Sequence, residues 1–301
     1  METKILRAEA LVKRYGKKEV LHGLDVAFEP GHIYGLIGRN GAGKTTLLGC
    51  LTGQLRTTGG MVSYGGAPVW ENARALGEIC FSRELSPMLM FGQNTYKVKE
   101  YLRAARYYYP HWDEEYARRL MEEFGLEEKK RICRLSKGML SMVTIVLALA
   151  SRAPVTILDE PVAGLDIVAR ERFYQLLLED YAETGRTFIV STHILDEASN
   201  VFEQVIVMDE GRIIENAPTD ELVAQFHHVS GREDEVDAAT AGCKILFTEQ
   251  LGRSKAVCVR CGGETLARIT AGRDLDVAPM NLQKVFVALT GHKEEDSHET
   301  K

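Results

Sequence analysis

The chain has 301 residues, 45% of them hydrophobic, enough to bury roughly three quarters of its unfolded surface in one large domain or one domain with an appendage. Its 37 basic and 43 acidic side chains leave a formal charge of −6 with no basic block, which argues against a nucleic-acid partner. A membrane-spanning helix needs about 20 mostly apolar residues, and the most apolar run, Met142 to Ala150, is cut off by Ser151 and Arg152.

The opening Met-Glu-Thr-Lys-Ile-Leu-Arg lacks the basic start and apolar stretch of a secretory signal, so the expected location is the cytoplasm. The six cysteines (Cys50, Cys80, Cys133, Cys243, Cys258, Cys261) are scattered and read as free thiols. Short β-type runs at Leu24 to Phe28, Ile33 to Ile37, Val155 to Leu158, Thr187 to Val190 and Val205 to Met208 alternate with helical patterns. That layout predicts an α/β fold with a mostly parallel sheet.

Between about Ser86 and Ala150 the strand pattern stops. Val98, Tyr101, Leu102 and Ala105 mark one amphipathic helix, and Tyr116, Leu120 and Phe124 mark the next, stopped by Gly125. This predicts an inserted helical subdomain over about 86–150 within a domain spanning 1–218. A small α+β domain is expected over 219–291, with a hairpin turning at Gly262-Gly263 and a helix whose apolar face is Leu282, Val285, Phe286 and Leu289. The polar stretch 292–301 is expected to be disordered.

The strongest chemical signal is Gly38-Arg-Asn40-Gly41-Ala-Gly43-Lys44-Thr45-Thr46, a phosphate-loop pattern placed after the strand Ile33 to Ile37 and before a helix. Its glycines let backbone N–H groups turn inward around phosphates, Lys44 adds a cation, and the Thr45 hydroxyl is a ligand for Mg²⁺. Val155-Thr-Ile-Leu-Asp159-Glu160 is an apolar strand ending in two acids, whose burial requires a metal, a proton or a partner. Asp159 can hold the metal and Glu160 can polarise an attacking water; taken alone, an apolar strand ending in acids also reads as a solvated strand end.

Leu135-Ser136-Lys137-Gly138-Met139 resembles the signature loop of the ATP-binding-cassette (ABC) transporter family and precedes Asp159 by the family's usual interval. Ala163-Gly164-Leu165-Asp166 is similar to the loop after the acidic strand, Ser191-Thr192-His193 to the switch histidine, and Tyr15 to the aromatic residue that stacks on adenine. Taken singly, these are weaker: Ser136-Lys137-Gly138 also reads as an ordinary helix cap, Tyr15 as a strand aromatic, His193 as a hydrogen-bonded histidine. The resemblance covers residues 1 to about 218 in the family's order.

It implies the P-loop NTPase fold of an ABC nucleotide-binding domain, with ATP and Mg²⁺ as cofactors. It also implies a head-to-tail pair of nucleotide-binding subunits, as a homodimer or a heterodimer. In such a pair Ser136 and Gly138 of one chain would complete the site built from Lys44, Thr45, Asp159, Glu160 and His193 of the other. A multi-span permease encoded separately would anchor the pair at the inner face of the membrane. The altered signature and the tail helix resemble the branch that exports antibiotics, peptides or lipid-like substrates. Rival readings are an ABC-type ATPase without a channel, which typically carries two cassettes or a long coiled coil, and a regulatory module that holds ATP without turnover.

The chain departs from the family pattern where a metal-reaching glutamine is usual: Ile79-Cys-Phe-Ser-Arg83-Glu84 places Arg83 there, and Gln93 comes about ten residues late. Lys137 replaces the signature's first glycine, and Met139 its glutamine. Cys258-Val-Arg-Cys261 resembles half of a zinc site, with Cys243 as a third ligand. No second close cysteine pair exists, and the segment also reads as a hairpin.

Overall fold

The computed structural model describes residues 4–85, 96–271 and 274–291, which form two compact units, Met1–Glu215 and Asn216–Lys301. Gln93, the first ten residues of the expected helical insertion and the stretch 292–301 lie outside the described residues.

The first unit opens with β1 (Leu6–Tyr15) and β2 (Lys18–Phe28), an antiparallel pair, then β3 (Ile33–Gly38) and α1 (Lys44–Leu51). β4 (Gly59–Tyr64), β5 (Ala67–Pro68), α2 (Ala73–Leu76) and β6 (Ile79–Arg83) follow. The helical stretch holds α3 (Val98–Tyr108), α4 (Glu114–Glu123) and α5 (Lys137–Ala150). β7 (Val155–Asp159), α6 (Ile167–Thr184), β8 (Thr187–Thr192), β9 (Gln204–Asp209) and β10 (Arg212–Pro218) complete the run.

Two sheets result. One, ordered β2-β1-β4-β5, is antiparallel, a sheet the sequence reading did not anticipate. The other, ordered β10-β9-β3-β8-β7-β6, has parallel pairings from β9 across to β6. Every residue of β3, β7 and β8 is buried, which is why these strands read as continuous apolar runs rather than alternating ones. Leu36, Leu47, Leu48, Ile157 and Ile189 join residues of β1 and β2 in one core, fixing α1 and both sheets around the carboxyl end of β3.

In open parallel sheets ligands bind outside the carboxyl ends of the strands. Here β3, β8, β7 and β6, adjacent in that order, end at or run directly into Gly38, Thr192-His193, Asp159-Glu160 and Arg83-Glu84. Four motifs separated widely in sequence therefore meet along one edge.

α3 buries Val98, Leu102 and Ala105, α4 buries Tyr116 and Leu120, and Gly125 turns the chain with φ 60°. α5 is buried along most of its length from Leu140. Among the described residues no helix is long and apolar enough to cross a membrane.

The second unit contains α7 (Thr219–Val223), β11 (Phe226–Arg232), α8 (Glu233–Thr240), β12 (Lys244–Leu251), β13 (Ser254–Arg260), α9 (Gly263–Thr270), β14 (Asp276–Pro279) and α10 (Leu282–Thr290). Its sheet runs β12-β13-β11-β14 over a small core of Val229, Val236, Val257, Val259 and Ile269. The expected hairpin turn at Gly262-Gly263 is corrected: Gly263 begins α9, and the β12–β13 turn falls at Gly252, whose φ of 63° suits a residue without Cβ. The Cys258 thiol lies 3.2 Å from the Met280 sulfur, while Cys243 and Cys261 pack against the valine core. Alternation along β13 sets Cys258 and that core on opposite faces. Among the described residues no group of three His, Cys, Asp or Glu side chains is placed to hold a metal.

Candidate functional site

The turn between β3 and α1 is shaped by its glycines. A Cβ on Gly38 would lie 2.6 Å from the Met208 carbonyl oxygen, and Gly43, the residue before α1, has φ 104°. Only glycine satisfies both without strain. The resulting loop lines a cavity of about 350 Å³ with Arg39, Asn40, Gly41, Gly43, Lys44, Thr45 and Thr46, joined by Lys18 and Glu160. Lys44 is 6% exposed, and its Nζ donates to the Gly38 carbonyl at 2.6 Å. Burial pushes its ammonium below the usual lysine value, with Glu160 and Asp159 pulling the other way.

A second cavity of about 560 Å³ shares Thr45 and Glu160 with the first and adds Asp159, Gln54, Arg83 and Glu84. Asp159 closes β7 with 6% exposure, and its Oδ1 is buried without a hydrogen-bond partner among the described residues, as is the Oγ of Ser191, its neighbour in register on β8. A buried bare carboxylate oxygen beside a threonine hydroxyl is a hard-oxygen donor set that suits Mg²⁺.

Glu160 takes a left-handed backbone conformation, φ 51°, held by its own N–H on the Ser191 carbonyl at 2.9 Å. Such a conformation costs of order 1 kcal/mol or more outside glycine and persists where surrounding bonds impose it. It aims the carboxylate between a histidine and a lysine: Oε2 lies 2.9 Å from His193 Nδ1 and Oε1 lies 3.8 Å from Lys44 Nζ.

The remaining expected residues sit elsewhere. Tyr15 ends β1, about half-exposed and cross-strand from Lys18, with Lys13 Nζ 5.0 Å over its ring. Ser136 caps α5, its Oγ accepting from the Met139 N–H at 3.3 Å. A Cβ on Gly138 would meet the Gly164 carbonyl oxygen at 2.7 Å, and the Ser141 hydroxyl donates to the Ala163 carbonyl at 2.6 Å. The signature turn is thus packed onto the 163–166 loop. Asp166 caps α6 by accepting from the Ala169 N–H at 2.8 Å. None of Tyr15, Ser136, Gly138 and Asp166 lines either cavity.

Three residues of this neighbourhood were not legible in advance. Gln54 lines the larger cavity from the loop after α1. Lys18 reaches the phosphate-loop cavity from β2. Glu84 forms an ion pair with Lys137 of the signature turn, at 3.1 Å.

The family model described as ABC transporter matches residues 21–163. The Nod factor export ATP-binding protein I of Burkholderia orbicola is 32% identical, over 94% of this chain and 96% of its own length. The ABC transporter ATP-binding protein YtrB of Bacillus subtilis is 26% identical over 96% of this chain and 99% of its own. Among solved structures, an ATP-binding subunit of an ABC transporter superposes with a TM-score of 0.63 at 27% identity, covering 72% of this chain and 91% of that one.

Proposed function

The chain belongs to the ABC transporter family as an ATP-binding, ATP-hydrolysing subunit, and from that premise we propose how its residues divide the reaction and that the reaction drives export. The phosphate loop, through its N–H groups and Lys44, binds the β- and γ-phosphates. Thr45 and Asp159 hold Mg²⁺, which when bound neutralises phosphate charge. Glu160 accepts the proton of the attacking water, and His193 orients that carboxylate. Tyr15 stacks on the adenine. The observation that carries the catalytic assignment is the Glu160 carboxylate poised between Lys44 and His193 at the mouth shared by both cavities.

Two copies pairing head to tail would bring Ser136 and Gly138 of each to the other's nucleotide. Ile167 and Val168, 69% and 77% exposed on the first turn of α6, supply apolar area beside the signature turn for that contact. Export is supported by the Nod factor export relatives, which match 94% and 98% of the chain and so extend beyond the nucleotide-binding unit. Tyr107 and Tyr108, 83% and 75% exposed at the end of α3, suit docking to a multi-span permease on the inner face of the membrane.

The test is phosphate release by the purified chain with ATP, in Mg²⁺ and in excess EDTA. Turnover that needs Mg²⁺ and is lost with nucleotide affinity in Lys44→Ala supports the assignment. Tight ATP binding without turnover would overturn it in favour of a regulatory module.

A further inference from the structure

We propose that the C-terminal unit carries a second, nucleotide-independent interface, in which the outer edge of β12 pairs antiparallel with β12 of a second copy of this chain. β12 is the terminal strand of its sheet among the described residues, so one side of its backbone is free to extend the ladder. Alongside its charged side chains the strand exposes apolar ones: Ile245 and Phe247 are 39% and 49% exposed, and Phe247 rims a cavity of about 460 Å³ against α10 together with the exposed Val287.

The strand's own sequence selects the partner. The ladder with β13 pairs Lys244 with Arg260, Ile245 with Val259, then Phe247 with Cys258, Thr248 with Val257 and Glu249 with Ala256. Leu246 is the extra residue of a bulge. Without that bulge Lys244 and Glu249, an odd number of residues apart, would point to opposite faces. With it, Lys244, Phe247 and Glu249 share the face of Cys258, while Ile245 and Thr248 share the other.

Now let two copies of β12 run antiparallel about a two-fold axis between Leu246 and Phe247. Lys244 then stands opposite Glu249 of the partner, Ile245 opposite Thr248, and Leu246 opposite Phe247. Directly opposed residues in an antiparallel pair must lie on one face, and the bulge satisfies this for the charged and the mixed pair alike. The two-fold axis repeats each contact, giving two Lys–Glu pairs around a central apolar patch. Neither Lys244 nor Glu249 has an ion-pair partner among the described residues, and both are exposed. An arbitrary extended segment would match neither the charge order nor the face order; a second copy matches both.

The interface is read independently of the nucleotide site, by sedimentation velocity of the full chain in ATP-free buffer with EDTA and low salt. The expected species is a dimer that persists in Lys44→Ala. Lys244→Glu or Glu249→Lys alone should weaken it about tenfold or more, since two attractive pairs become two repulsive ones. The double reversal Lys244→Glu/Glu249→Lys should restore it, because the register pairs the swapped charges again. Equal thermal melts for all variants separate this effect from misfolding. As a second readout, chains with Lys244→Cys mixed with chains with Glu249→Cys should form an oxidative crosslink above the wild-type background, and neither alone should. A monomeric wild type, or reversals that leave the dimer unchanged, would overturn the proposal without touching the hydrolytic assignment.

Discussion

Replacing Glu160 by glutamine removes one negative charge and keeps the shape of the side chain, so its consequences follow from the two contacts of the carboxylate. The hydrogen bond with His193 at 2.9 Å survives as an amide contact, and the strained φ of 51° is imposed by the backbone bond to Ser191, which the substitution leaves alone. What disappears is the basicity. A positioned general base contributes about 10²- to 10⁴-fold, so turnover should fall by that factor, equivalent to roughly 3–5.5 kcal/mol of barrier. Affinity should move the other way. A unit charge 3.8 Å from Lys44 competes with phosphate for the same ammonium, and at about 4 Å near a protein surface such a pair is worth up to about 4 kcal/mol before solvation. Neutralising it frees Lys44 for the nucleotide, so ATP should bind at least as tightly as to the wild type. Single-turnover phosphate release and calorimetric titration measure the two effects separately. Turnover within about tenfold of wild type would show that Glu160 is not the base, and a large loss of affinity would show that its charge supports the site rather than competing within it.

Gly138→Ala places a methyl 2.7 Å from the Gly164 carbonyl, a backbone atom that cannot swing aside, so the signature turn must part from the 163–166 loop. ATP hydrolysis should drop about tenfold or more with binding to the isolated chain unchanged; an unaltered rate would mean that this packing is not needed. Asp180 is 1% exposed and bonds Arg186 through both oxygens at 2.8 and 2.7 Å. Asp180→Ala strands that buried cation and should cost about 3–5 kcal/mol in urea unfolding, a smaller loss indicating that Thr156 and the Leu149 carbonyl suffice for the guanidinium. Mixing Glu160→Gln with Ser136→Ala chains, each inactive alone, should restore phosphate release if identical chains pair head to tail, since a mixed dimer has one site with both lesions and one with neither. No recovery, with mixed dimers shown to form, would favour a different partner cassette or strictly coupled sites.

What was legible in the sequence was local. The phosphate loop, the strand ending in Asp159-Glu160 and the fully buried strands each write their chemistry into consecutive residues, and the structure aligns them on adjacent strand ends. The antiparallel sheet was missed because β1 has register shifts from Ala8 through Lys13, with Ala10 at φ 46°, which break the period-two pattern that would announce it. The hairpin was misplaced because Gly252 and Gly262-Gly263 offer equivalent turn chemistry, and only the pairing of Ser254 with Leu251 decides between them. Gln54 and Glu84 escaped for a different reason. Their relevance comes from sharing a cavity with Thr45 and Asp159, a relation that no spacing along the chain encodes.

The departures from the family pattern make physical sense when taken together. Arg83 lies beside Asp159 in register and lines the larger cavity, so a cation now stands where an amide would approach the metal; a guanidinium accepts nothing and cannot ligate it. Gln54, which lines the cavity, is carried by the loop after α1, which does not lead into the helical subdomain. On the proposed assignment of Mg²⁺ to Thr45 and Asp159, Arg83 therefore offers no metal ligand on β6 among the described residues. Among the described residues a side-chain link from that segment to the signature turn is Glu84 to Lys137 at 3.1 Å, the lysine being the residue that replaces the family's glycine. Both partners are more than half exposed, so the link is worth no more than about 1 kcal/mol and is screened by salt. Gly138 packed against the Gly164 carbonyl and the Ser141 hydroxyl on the Ala163 carbonyl tie the signature turn to the loop that follows Glu160, while Ser82 donates to the Thr144 carbonyl at 2.9 Å and ties α5 to the strand that carries Arg83.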